Sequence, residues 1–389
     1  MAHKVKSAAS KKYGFIRNRI SKAQGRAKFA GFLYLLGTIA LAAASVAVCT
    51  LSGICLSTDN GLLPIVKLIS EVKSLFTGGI TSVIQDSALL MKALVLVLYI
   101  CTVLAVVINA LRCFGKLNWL FKRRASYVNG FNRNMYAMDD LSKRFSGSLA
   151  SLVSFGVFAT LFTEGAVKVT TYGLIVLGAG LVLHIFCGLI EGKTPLFTTG
   201  EKVEEEEREY GLFVFFLRNL VQIAAVGAII YFVLPASSFA TDLKEVLDKV
   251  VVSKDFAWFT ANIMTLIPFF AELLAWICTI VLIKHATAAT EYNRDCLDGD
   301  GMKNFAVFSL FTALCFGAIV LLPYLGVGLA AGETATLNTK LLIGAGVAFA
   351  AFLLDCIVRP RHRATYEDLD VDAYFGETDE AVKYNNTII

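Results

Sequence analysis

Charge is what this 389-residue chain has least of. Asp, Glu, Lys and Arg make up 17% of it, where an ordinary soluble domain has about 25%. The shortfall is uneven: charges gather between long apolar runs, which is the pattern of a membrane protein and excludes a simple soluble domain. Histidine is scarce, with four in the chain, and no pair of its nine cysteines has CxxC spacing. A zinc site, a redox pair and a disulfide framework are therefore not expected, and most cysteines lie in apolar runs as small hydrophobes. Gly178-Ala-Gly180 lacks the third glycine and the preceding strand of a dinucleotide loop. Clustered histidines and carboxylates at headgroup level are also missing, so no enzyme, metal or cofactor is expected.

Acidic residues are absent from 1–28, which carry nine Lys or Arg. Tyr13, Ile16 and Ile20 fall on one helical face there. This reads as a helix on anionic lipid, or as a topology signal alone, and places the N-terminus in the cytoplasm. The next run is too long for the core of a signal peptide.

Eight apolar runs follow, at 29–56, 88–111, 147–164, 169–190, 211–234, 256–283, 305–325 and 341–358. Each is long enough to cross a bilayer or nearly so. Eight spans return the C-terminus to the cytoplasm. Basic residues from Lys116 to Arg144 and from Arg359 to Arg363 fall on that same side, as the positive-inside rule requires. The loop at 118–145 also carries Trp119, Phe121, Tyr127, Phe131 and Tyr136. Beside a membrane, that mixture reads as an interfacial helix on anionic lipid, not as a nucleic-acid surface.

The two halves share one layout. Tyr99-Ile-Cys-Thr in span two matches Trp276-Ile-Cys-Thr in span six, and Gly178-Ala-Gly180 in span four matches Gly344-Ala-Gly346 in span eight. Each half also has an outer segment with apolar residues at helical spacing: Leu62, Ile65, Ile69, Val72 and Phe76, then Phe239, Leu243, Val246 and Val250. The expected fold is an all-α bundle of two tandem four-helix units in one orientation, with two short amphipathic outer helices. Its parts are a basic segment at 1–28, repeats at 29–200 and 201–363, and an acidic tail at 364–389. Gly180, Gly344 and Gly346 are expected to be packing seams.

Ionisable groups at membrane depth are costly and face the bundle interior. Glu272 lies eleven residues from the inner end of span six, at a depth of about 16 Å. Arg218 lies about 10 Å into span five, with Asn219 and Gln222 beside it. These depths predict an Arg218–Glu272 ion pair. Pro268, one turn before Glu272, is expected to kink or break span six, as beside many transport sites. His184 in span four is a further candidate, and Asp355 is expected at the interface.

The resulting expectation is a transporter or channel for a small solute or ion, with its pathway between the two repeats. The alternative is a non-transporting scaffold or the membrane subunit of a complex. Expected partners are the bilayer, anionic lipids at its cytoplasmic face, the solute, and further copies of the chain. A bacterial plasma membrane is the expected location. Two other signals fall short. The Asp295–Gly301 stretch lacks the first and twelfth ligands of a calcium loop, and Asn385-Asn-Thr387 has glycosylation spacing in a tail placed inside.

Overall fold

The computed structural model describes residues 25–46, 56–58, 61–62, 87–121, 127–163, 167–169, 171–192, 212–288, 300–329 and 334–358. Eight of the described helices are long and apolar enough to cross a membrane. The chain is a multi-pass integral membrane protein. The spans are α1 (Gly25–Val46), α2 (Ser87–Phe121), α3 (Tyr127–Phe162), α4 (Thr171–Gly192), α5 (Leu212–Val233), α8 (Ile263–Ala288), α9 (Asp300–Leu321) and α10 (Thr339–Val358). Between α5 and α8 come α6 (Phe239–Val246), a π-helical turn (Leu247–Val252) and α7 (Phe256–Ala261).

After span one, β1 (Leu56–Thr58) pairs antiparallel with β2 (Gly61–Leu62). Then β1 pairs with β3 (Val167–Val169), giving a three-stranded antiparallel sheet in the order β2-β1-β3. That pairing brings the loops after α1 and after α3 to one end of the bundle, called the upper end below. Ile65 to Phe76 lie outside the described residues, as do the basic segment through Lys22, the acidic stretch at 203–209 and the tail. Residues 295–299 and Asn385 lie outside them too.

Among the described residues of 118–145, α2 continues to Phe121 and α3 starts at Tyr127, so that the two form a long antiparallel pair. They have 35 and 36 residues, or about 52–54 Å at 1.5 Å per residue, against an apolar layer of about 30 Å. The reason is a buried apolar stripe, Ala137, Met138, Leu141 and Phe145, facing Leu120 and α1. Gly31 of α1 packs directly on Leu120 and Leu141. On the polar side, Arg144 holds Asp140 through two hydrogen bonds of 2.9 and 3.1 Å, and Lys143 pairs with Asp139.

Two apolar cores result. One is shared by α1, α2, the lower part of α3 and Cys187 of α4. The other joins the upper part of α3 to α5, α6, α8, α9 and α10. Helix α3 thus belongs to both groups, while α10 packs closely along α9 and α5. Gly344 is a seam, as expected: a Cβ there would run into Val233 of α5. Gly180 likewise faces Leu149, whereas the space beside Gly178 and Gly346 is open.

Span six is interrupted, but not at the proline. The break falls at Asn262, whose side-chain Nδ2 donates to the Trp258 carbonyl at 2.8 Å and ends α7. Helix α8 starts one residue later and runs through Pro268 to Ala288. Asp255 caps α7 by accepting from the Trp258 backbone N–H. Nearby, the Asp242 carboxyl on α6 is held above its ordinary pKa by burial, against the hydrogen bond from Ser238.

Candidate functional site

Arg218 and Glu272 do not pair. The Arg218 partner is Asp355 on α10: Nε donates to Oδ1 at 3.0 Å. Gln222 Nε2, one turn along α5, donates to both oxygens of the same carboxylate, at 2.9 and 3.1 Å. Asp355 lies three residues from the lower end of α10, and its side chain is 2% exposed.

The error was one of depth. Glu272 lies nine residues after the start of α8 and sixteen before its end at Ala288. Its carboxylate accepts from Ser237 Oγ, in the turn that ends α5, and from Trp276 Nε1 at 3.2 Å. Glu272 is therefore level with the upper end of α5. From there to Arg218 is nineteen residues, about 28 Å along the axis. The expected span ended at residue 283, just before Lys284 and His285, but the helix carries those residues and continues.

Glu272 nonetheless is buried, as a carboxylate at this depth must be if it is to find partners. Ser237→Ala removes one of its donors, and a buried acceptor left short costs about 1–3 kcal/mol. The expected result is a lower unfolding midpoint in detergent for Ser237→Ala and a smaller loss for Ser237→Thr, which keeps the hydroxyl.

The Arg218–Asp355 pair is the centre of an incompletely bonded cluster. Arg218 Nη2, Asn219 Nδ2 and Gln222 Oε1 are all buried without a partner. Two unfilled donors and one unfilled acceptor thus stand beside a buried ion pair. Native proteins leave few buried polar atoms in this state.

His184 is separate from both charged sites. Its Nε2 lies 2.7 Å from the Thr287 carbonyl of α8, so Nε2 carries the proton and Nδ1 is left as an acceptor. Nδ1 is buried without a partner. The ring packs between Tyr34 and Phe145, with centroids 5.6 Å from each. Pro268 is one turn above Glu272, and its ring lies against Gly328 of the loop after α9.

Between the two helix groups lies a cavity of about 470 Å³, walled by α3, α4, α5 and α8. This is where a pathway between repeats was expected, but its lining is almost wholly apolar. None of Glu272, Arg218, Asn219, Gln222, His184 or Pro268 lines it. Sequence reasoning missed Asp355 as the partner of Arg218. A signal for it existed: both residues lie within two turns of the lower ends of their helices. Comparisons with family models, with curated proteins and with solved structures find no match.

Proposed function

We propose that the chain is a membrane transporter for a small polar solute or ion, which binds at the cluster of Arg218, Asn219, Gln222 and Asp355. One observation carries this reading. The cluster keeps two donors and an acceptor unfilled at membrane depth, where an unpaired polar group is expensive. A solute with acceptors and one donor, bare or partly hydrated, satisfies all three. The route then runs on the α5–α10 side of the second helix group, because the gap between the groups is too apolar for an ion.

A tandem repeat accompanies this reading and has its own support. The Tyr99 ring of α2 packs on Phe155 of α3, and the matching Trp276 of α8 packs on Phe316 of α9. The repeat does not extend to the other buried polar groups, since His184 aligns with Ala350 and Glu272 with Val95. The basic residues around 116–124 and 359–363 support cytoplasmic termini.

The second reading is a scaffold, favoured by the ion pair itself, which ties α5 to α10. Asn219 separates the two. Its Nδ2 bonds nothing, so Asn219→Leu leaves stability equal or higher. Flux of sodium, potassium, chloride and protons is measured in sealed liposomes. Transport through the cluster predicts wild-type flux that falls several-fold in Asn219→Leu with an undiminished unfolding midpoint. Equal flux in both proteins removes the cluster from the route. No wild-type flux favours the scaffold.

A further inference from the structure

The cavity between the helix groups exists because α4 is loosely held. Helix α10 packs along α9 and α5, but α4 packs on α3 and scarcely touches α5. At the cavity's lower limit the His184–Thr287 hydrogen bond ties α4 to α8. Above that bond the helices stay apart. Interiors of folded proteins are close-packed, and an unfilled gap forfeits dispersion contacts along all its walls. Something therefore fills it.

We propose that this cavity is a binding site for one acyl chain of a membrane lipid. The lining selects the chemistry. Its two threonines have already spent their hydroxyls: Thr160 Oγ1 donates to the Gly156 carbonyl at 2.9 Å, and Thr287 Oγ1 to the Ile283 carbonyl at 2.9 Å. Little remains to hold water or a polar solute, since a buried water needs two to four polar partners. The neighbours are Leu177, Leu181, Val226 and others of that kind.

Shape selects the occupant. On α3 the lining runs from Leu149 to Thr160, and along α5 from Ile223 to Leu234 just past its end, eleven positions apart in each case. That is about 16 Å, half of an apolar layer of about 30 Å, and so the depth of one leaflet. A hydrocarbon chain lying along that length reaches from one surface of the apolar layer to its middle, as one acyl chain does. Gly178 and Gly227, on facing walls, keep the slot open; a Cβ on either would meet nothing within 4 Å. Near the upper mouth, Tyr231 is 74% exposed. An amphipathic ring there suits the headgroup level, so the lipid enters with its head up and its tail toward Thr287.

The site is distinct from the polar cluster, and its test stands whichever way the flux experiment falls. The full-length protein is reconstituted in phosphatidylcholine vesicles containing a trace of phosphatidylcholine with a photoactivatable diazirine in the acyl chain. Labelled positions are mapped by peptide mass spectrometry. The expected result is labelling at Leu177, Leu181, Ile223 and Val226 several-fold above that at the open surface residues Leu342 and Ile357. In Gly178→Phe and in Gly227→Phe, each filling the slot from an open position, slot labelling falls several-fold and surface labelling does not. The wild-type ratio decides the matter even if neither variant folds. Slot labelling no stronger than at the surface overturns the proposal. So does labelling unchanged in a folded filled variant, or preferential labelling of the slot by a water-soluble carbene precursor.

Discussion

Arg218→Ala lowers the unfolding free energy of the protein by about 3–5 kcal/mol. The loss arises less from the bond removed than from what remains. Asp355 loses the Arg218 Nε donor and keeps only Gln222, while its side chain stays 2% exposed. A carboxylate in that position has neither water nor a cation, and breaking a buried pair from one side is far more damaging than deleting both partners. The double variant Arg218→Met, Asp355→Leu therefore regains most of the loss. Thermal or denaturant unfolding in one detergent, with both single variants and the double, gives the coupling directly. A coupling near zero would show that the pair contributes nothing to holding α5 against α10. The same proteins bear on function. If the cluster binds solute, the double variant regains stability and not flux; if it is only a lock, nothing but stability is at stake.

Burial was legible in the sequence, and partnership was not. Apolar runs of sufficient length gave all eight spans, because that requirement is set by membrane thickness. The same reasoning placed Arg218, Asn219, Gln222, His184 and Glu272 in the interior, where they are. Pairing depends on the vertical register between helices, and register is set by contacts far apart in the chain. Val233 against Gly344 fixes α5 to α10. Eleven residues on from Gly344 is Asp355, and eleven back from Val233 is Gln222, so one seam at the upper end sets the ion pair about 16 Å lower. The boundary of α8 had a similar effect, since Lys284 and His285 marked an end that the helix ignores. The lipid slot had no signal at all. It is produced by the loose packing of α4, and Gly178 and Gly227 read equally well as seam residues.

Gly328→Ala is expected to cost about 2–5 kcal/mol, and its comparison with Gly326→Ala identifies the cause. Both glycines have positive φ, +83° and +75°. Each alanine therefore pays for a left-handed backbone, about 1–2 kcal/mol. Only at Gly328 is there a second cost: its Cβ would overlap the Pro268 ring, whereas nothing lies within 4 Å at Gly326. The ring is closed on its own backbone inside α8 and cannot swing away, so the overlap forces the loop outward at about 1–3 kcal/mol. The second cost should fall when Pro268→Ala is added to Gly328→Ala, and the first should not. Unfolding midpoints of the four proteins test this, and equal losses at the two glycines would remove the contact from consideration. The sequence suggested that Pro268 breaks its helix beside a binding residue. Here it is instead the surface on which the loop after α9 lands, one turn above Glu272. Relief by Pro268→Ala would make the proline's contribution one of docking, and would place the flexible point of this segment at Asn262, where the helix is interrupted.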